Sequence, residues 1–451
     1  MLQNIAGAVA ISFTVWYIYG NVFSEPSKME IKMSKTVTLA VIGAGSRGRG
    51  YATFAKKFPE RLKIVAVADP NKYRRDQMAK EYDIPADKCF ESWEDFVKQP
   101  KMCDAVAICT QDNMHEEPAI ACADLKYDIL LEKPMAPTAE ACRNIVNAVK
   151  RNNVMFAVCH VLRYTQYTLK LKELLKSGTI GDIVSIQHLE PVGYWHQAHS
   201  FVRGNWRNEE ESSFMLLAKC CHDIDWLRGV MDKKCVAVQS FGSLRHFRKS
   251  EQPKGAASRC CDCPKEIESC CPYSAYKIYF VDRLTKGQTR WPVDVLTPEP
   301  TAETLAEAIK NGPYGRCVYE CDNDVVDNQV VNMNFEDGST VSMTMTAFTH
   351  HSGRRTRIFG TRGMIDTDSS IITVCDFLHN TTTNIDSNVA NDGGILSGHG
   401  GGDFGLMDSF VKAVAERDNS YILSGTDETL ESHLMVFAAE ESRRTNTVSM
   451  L

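Results

Sequence analysis

The chain has 451 residues, 43% of them hydrophobic and 24% charged, which is a globular composition with enough length for two domains. The formal net charge of −6 gives no footprint for nucleic acid. Of the 17 cysteines, Cys103, Cys109, Cys122, Cys142 and Cys159 stand singly in apolar segments, which fits free thiols in a reducing cytoplasm and argues against a disulfide framework.

Residues 1–35 read as an N-terminal extension. Within it, residues 5–23 run 19 positions without a charge, long enough to span a membrane. Lys28, Lys32 and Lys35 follow and would leave the rest of the chain on the cytosolic side. No basic stretch precedes the run and no small-residue cleavage site closes it, so an excised signal peptide is disfavoured. The alternative of equal weight is an upstream extension, with Met29 or Met33 opening a soluble enzyme.

From 36 to 160 strand-like and helix-like segments alternate. The strand-like runs are 36–42, 62–69, 103–110, 127–134 and 154–160, and helices are expected at Pro118–Leu125 and Thr138–Asn152. Near-continuous apolar strands alternating with helices predict a doubly wound parallel sheet, a Rossmann domain. The first strand runs into Gly43-Ala44-Gly45-Ser46-Arg47-Gly48, a G-x-G-x-x-G at a strand-to-helix junction. Gly43 permits a tight turn, Gly45 a close approach to a pyrophosphate, and Gly48 close packing of helix on strand. The second strand ends in Asp69, 21 residues beyond Gly48, where a carboxylate can hold ribose hydroxyls and repel a 2′-phosphate. NAD is therefore favoured over NADP.

The pattern changes after 160. A helix is expected over Tyr167–Lys176, followed by strand-like runs at 183–190, 235–244, 330–336, 340–348, 355–360 and 364–368. Asp337-Gly338 between two alternating runs signals a hairpin. Residues 161–451 thus read as an α+β domain for substrate and oligomerisation, with an open, largely antiparallel sheet and helices on one face. Thr381–Asn388 and Gly398–Gly402 read as loops. A cysteine-rich insertion occupies about 250–280. Its Cys260-x-x-Cys263, with Cys271 and the more distant Cys321, suits a structural tetrahedral zinc, the alternative being unliganded thiols.

These motifs resemble the Gfo/Idh/MocA oxidoreductases, relatives of glucose–fructose oxidoreductase and inositol dehydrogenase, over residues 36–451. Four segments carry the resemblance: Gly43–Gly48 with Asp69, Thr110-Gln111-Asp112-Asn113-Met114-His115, Glu132-Lys133-Pro134, and His222-Asp223-Ile224-Asp225. The resemblance implies a homo-oligomeric enzyme moving hydride between NAD and a hydroxyl or keto carbon of a sugar, cyclitol or related polyol. It implies a cofactor site of Gly43, Gly45, Ser46, Arg47, Gly48, Asp69, Thr110, Asp112, His115, Glu132 and Lys133. It gives proton transfer to Lys133 and His222, and substrate contacts to Arg163, Tyr164 and Asp225.

The chain also departs from the family pattern. Position 218 is alanine where many relatives carry an aspartate four residues before the histidine, and Lys219 follows it. Lys219 is therefore a candidate second cation beside Lys133. His399, inside a glycine run, is a candidate substrate contact. The missing acid keeps a second reading open, in which a retained NAD assists glycoside cleavage or elimination without net redox. A catalytically silent NAD-binding regulator is a third.

Overall fold

A computed structural model describes residues 35–350, 353–387 and 395–451; the uncharged run 5–23 lies outside them. Among the described residues no helix is long and apolar enough to cross a membrane.

The first sheet has six strands: β1 (Val37–Ile42), β2 (Leu62–Ala68), β3 (Cys89–Phe90), β4 (Ala105–Ile108), β5 (Asp128–Leu131) and β6 (Phe156–Val158). Their order is β3-β2-β1-β4-β5-β6, every pair parallel. All residues of β4 and β5 are buried, because helices cover both faces of the sheet. Tyr51 and Phe54 of the helix Ser46–Lys57 pack on one face with Leu39 and Val41. Ile145 and Val149 of the helix Ala139–Asn152 pack on the other with Ala40 and Ile42. Thr138 caps that second helix by accepting from the Ala141 N–H, and Asn153 ends it at φ 51°. Strand order reverses between β1 and β4, which opens a crevice at their carboxyl ends.

The second sheet has nine strands: β7 (Ile183–Pro191), β8 (Cys235–Ser243), β9 (Asn328–Phe335), β10 (Thr340–Thr346), β11 (Arg355–Gly360), β12 (Gly363–Thr367), β13 (Ile371–Asp376), β14 (Thr381–Asp386) and β15 (Ser449–Met450). The order is β14-β13-β12-β11-β7-β10-β9-β8-β15. Pairing is antiparallel except for β7 with β10. In β9 and β10 burial alternates, so Val331, Met333, Phe335, Val341, Met343 and Met345 face one core. The turn between them needs Gly338 at φ 86°, and Asp337 Oδ1 accepts from the Ser339 N–H at 3.0 Å. Thr381–Asn388, expected as a loop, instead supplies the edge strand β14. Its residues are mostly exposed, and the strand is held by its ladder with β13, so no apolar pattern betrays it.

Two C-terminal helices tie the halves together. Leu406, Met407 and Phe410 of the helix Gly402–Glu416 pack in the core of the first sheet. The helix Thr426–Thr445 packs against the helices Ala139–Asn152 and Cys221–Met231 and against β8.

Candidate active site

The crevice begins at the glycine turn. Gly43 sits at φ +94°, and a Cβ there would meet the Cys109 carbonyl oxygen at 2.5 Å. A Cβ on Gly48 would lie 2.1 Å from the Gly43 carbonyl oxygen. Gly45 has no atom nearer than 4.0 Å to its would-be Cβ, so its backbone faces open space, and Ser46 starts the helix beside it. Asp69, 5% exposed at the end of β2, accepts from the Ala44 N–H at 2.7 Å through Oδ2 and from the Asn71 N–H at 2.8 Å through Oδ1. The carboxylate is fixed against the turn and keeps lone pairs for further donors. Bare backbone beside an anchored acceptor fits a dinucleotide.

The loops after β4 and β5 close the next side. His115 is fully buried. Its Nδ1 donates to the Pro134 carbonyl at 2.8 Å, and its Nε2 lies 3.3 Å from the Thr110 carbonyl. His115 is therefore a brace between two loops. Thr110 Oγ1 donates to the Met114 carbonyl at 2.9 Å, and Asp112 Oδ2 accepts from Ser212 Oγ at 3.3 Å. Arg47 Nε reaches Glu132 Oε1 at 2.6 Å, and its Nη2 reaches Asp403 Oδ1 at 2.7 Å. Glu132 Oε2 in turn accepts the Lys133 N–H at 2.8 Å. Burial alone would raise the Glu132 carboxyl, but Arg47 and Lys133 more than offset it and hold it below its ordinary range. From the far side, the Met135 N–H donates to His433 Nε2 at 2.9 Å.

Lys133 leaves this braced loop and crosses to the helical segment of the other half, where Nζ donates to the Ala218 carbonyl at 2.8 Å. His222 is 7% exposed, and its Nδ1 is buried without a partner. Its ring lies 5.7 Å from His160 and 6.0 Å from His399. Burial first, and then the charges of Lys133, His160 and His399, push His222 well below the ordinary histidine range, so it is a neutral imidazole. His399, at φ 52°, keeps Nδ1 3.2 Å from Asp403 Oδ2.

Lys219 stands 3.2 Å from Glu190 Oε1. Arg354 Nε lies 3.0 Å from Glu190 Oε2 and 2.5 Å from Asp223 Oδ1, which also faces His188 Nε2 at 3.0 Å. Glu190, Arg354 and His188 were not among the expected residues, and Asp223 stood only within the motif His222–Asp225, with no role assigned. They sit far apart in sequence, and the only local signal is a carboxylate near the end of an otherwise alternating strand β7.

Two expectations are corrected. Arg163, Tyr164 and Asp225, expected as substrate contacts, spend their polar groups on partners inside the fold. Arg163 Nε donates to Asp225 Oδ2 at 2.6 Å, and Ser432 Oγ donates to Asp225 Oδ1 at 3.0 Å. Tyr164 Oη accepts from the Leu423 N–H at 2.9 Å. All three are at most 5% exposed, and their polar atoms are satisfied inside the fold. The zinc set Cys260, Cys263, Cys271 and Cys321 is also not assembled. Among the described residues no group of three or more His, Cys, Asp or Glu is arranged to hold a metal ion. Cys260, Cys263, Cys271 and Cys317 line a cavity of about 30 Å³ beside buried Arg203. Their neighbours engage the sulfurs: Cys260 Sγ accepts from the Ala275 N–H at 3.4 Å, and Cys321 Sγ donates back to the Cys317 carbonyl at 3.3 Å.

Comparison with known proteins places this geometry. Residues 37–160 match the Gfo/Idh/MocA model described as oxidoreductase family, NAD-binding Rossmann fold, and residues 172–451 match its C-terminal alpha/beta domain. Inositol 2-dehydrogenase of Serratia proteamaculans (strain 568) is 30% identical over 206 residues, 45% of this chain and 57% of the relative. The 2,7-anhydro-N-acetylneuraminate hydratase of Escherichia coli (strain K12) is 28% identical over 212 residues, 47% of this chain and 54% of the relative. The chain thus spans about half the length of these curated relatives. A levoglucosan dehydrogenase solved with NADH and levoglucosan superposes with TM-score 0.65 at 19% identity, covering 92% of this chain and 99% of that one, a likeness of fold.

Proposed function

The chain belongs to the Gfo/Idh/MocA oxidoreductase family, and on that premise we propose that it transfers hydride between NAD and a hydroxyl- or keto-bearing carbon of a sugar, cyclitol or related polyol. The observation that carries the reading is the pinning of Lys133 across the crevice. The lysine stands on a loop braced by His115, Glu132 and His433, with neutral His222 nearby.

NAD, when bound, supplies the hydride acceptor or donor. The turn Gly43–Gly48 offers backbone N–H groups to the pyrophosphate, and Asp69 accepts from the adenosine ribose while disfavouring a 2′-phosphate. Lys133 Nζ, as the neutral amine, would take the proton of the reacting hydroxyl in oxidation, becoming the ammonium, and as the ammonium would return it in reduction. His222, as a neutral ring, orients that hydroxyl by hydrogen bonding. Lys219, paired with Glu190, and His399, held by Asp403, bound the space where the remaining hydroxyls lie. Self-assembly through the exposed face of the nine-stranded sheet, at Gln187, Asn332 and Ser342, belongs to the same reading.

The test is to denature the purified protein, identify the released nucleotide by mass, and follow reduced-nicotinamide absorbance against sugars and polyols. NADH build-up on one substrate class supports the proposal. Retained NAD with no build-up on any member of the panel rejects it.

Ala218 supports a second reading. Lys133 faces a backbone carbonyl there, with no carboxylate from position 218 to share a proton. A transient oxidation that assists glycoside cleavage needs no net transfer, and glycoside turnover without NADH accumulation would distinguish it.

A further inference from the structure

We propose that Cys260 and Cys263, beside buried Arg203, form a peroxide-reactive dithiol in which Cys260 is the attacking sulfur and Cys263 closes a reversible disulfide. The centre shares no residue with the nucleotide turn or with the cluster around Lys133.

Arg203 is 2% exposed. Its Nε donates to the Arg316 carbonyl at 2.7 Å and its Nη2 to the Tyr273 carbonyl at 2.9 Å. Neither partner carries a charge, whereas a buried guanidinium calls for a counter-charge. The ionisable group that it reaches is Cys260, whose Sγ accepts from Nη2 at 3.6 Å and from the Ala275 N–H at 3.4 Å. Two donors on one sulfur, one of them cationic, favour the thiolate, which is the nucleophilic form. Burial would lower the guanidinium, yet it stays above its ordinary range, and Cys260 is the first of the groups that hold it there.

The neighbouring thiols are placed differently. Burial pushes Cys271, Cys317 and Cys321 up, so these three stay protonated. Cys317 Sγ also accepts from Gln252 Nε2 at 3.6 Å. Cys263 is the partner that the backbone supplies. Its N–H donates to the Cys260 carbonyl at 3.4 Å. A turn closed between residues three apart keeps its end Cα atoms within about 7 Å, which is the reach of a disulfide.

Both sulfurs line one cavity of about 30 Å³ with Arg203, and exposed Pro253 in its wall brings it to the surface. One water needs about 10–15 Å³ of such space, so the cavity suits the two oxygens of hydrogen peroxide. Arg203 Nη1, buried without a partner, is a donor left for them. The Cys260 thiolate attacks one oxygen, the O–O bond breaks, and hydroxide leaves with a sulfenic acid formed on Cys260. The Cys263 thiol then attacks that sulfur, forming the S–S bond and releasing water. The hydroxide regains the proton that Cys260 lost on ionising, so two thiols lose two electrons and one peroxide becomes two waters. An external dithiol reverses the oxidation by exchange.

The test uses the full chain, reduced and desalted without air, then mixed with one equivalent of hydrogen peroxide, with and without a chelator. Thiol titration after denaturation should show two thiols lost per chain and recovered by dithiothreitol, and peptide masses should place the bond between Cys260 and Cys263. At limiting peroxide, Cys260 should react at least about tenfold faster than Cys270, an exposed thiol of the same chain. Cys263→Ser should keep the fast step and leave a sulfenic acid on Cys260 that dimedone labels, and Cys260→Ser should abolish the fast step. Cys260 reacting no faster than Cys270, a fast step that survives Cys260→Ser, a disulfide that omits Cys263, or thiols that resist peroxide until the chelator strips a metal ion from them, each overturns the proposal.

Discussion

The Lys133 ammonium donates to the backbone carbonyl of Ala218 at 2.8 Å, bridging from the end of β5 to the helical segment ahead of His222. A carbonyl fixes the position of Nζ but adds no charge and accepts no proton at neutral pH. On the proposed mechanism, proton exchange at the reacting hydroxyl falls to Lys133 itself. Lys133→Ala should lower kcat/KM by about 10²- to 10⁴-fold, the usual worth of a general acid–base, and leave NAD bound. Steady-state kinetics beside a nucleotide titration checks this, and unchanged turnover removes Lys133 from the mechanism.

Asp69 braces the Ala44 N–H and, on the proposed reading, also accepts from the ribose. Asp69→Ala should weaken NAD binding by about tenfold or more, since hydrogen bonds to a charged group are each worth roughly 1.5–3 kcal/mol. Preference for NAD over NADP should narrow in the same titrations. An NAD Kd equal to wild type would place the ribose elsewhere.

Gly48→Ala should destabilise the first domain by about 1–3 kcal/mol, the typical cost of overpacking. The new Cβ would stand 2.1 Å from the Gly43 carbonyl and 2.9 Å from Val41 Cγ1, and neither neighbour is a flexible chain end. Urea unfolding monitored by circular dichroism measures it.

Arg163→Met should cost about 3–5 kcal/mol, because it leaves the Asp225 carboxylate buried without its cation. The loss should appear as a lower unfolding midpoint. A stable variant with only a raised KM would return Arg163 to the substrate.

His160 is fully buried with neither ring nitrogen bonded. Burial, only partly opposed by Asp225, pushes its pKa down to about 3 from 6.5. The unfolded chain therefore binds the extra proton first: this stability is present above pH 6.5 and is lost as pH falls toward about 3. Asp225 acts lower. Burial would raise it, but Arg163 brings it below 3.8, so its contribution is present above that pH and is lost beneath it. The melting temperature should fall between pH 6.5 and about 4.5, and His160→Gln should flatten part of that slope. Identical slopes in the two proteins would exonerate His160.

The parallel sheet and the glycine turn were legible because each obeys a local rule. Continuous apolar runs report burial on two faces, and only glycine tolerates the backbone at 43 and the helix contact at 48. The hairpin at Asp337-Gly338 follows similarly from a required positive φ. Long-range pairing was not legible. Nothing in the spacing of Glu190, Asp223 and Arg354 announces one ion-pair cluster, and Arg163 and Asp225 look like crevice residues until their partners are known. The interval of three between His222 and Asp225 did put both beside His160, at 5.7 Å between rings and 3.8 Å from Nδ1 to carboxylate, but it could not say which of the two faces the cavity. β14 escaped notice because its stability comes from ladder bonds, to which side-chain pattern is blind.

Arg47 touches Glu132, the neighbour of Lys133, and Asp403, the partner of His399, from a position inside the glycine turn. An anion arriving at that turn competes for the same guanidinium and slackens both carboxylates together. Occupancy of the nucleotide crevice and the posture of the segment around His399 are then linked equilibria, each biasing the other by the same factor. Arg47→Lys should weaken that coupling, read as a smaller shift of the NAD Kd when a ligand occupies the space beside His399.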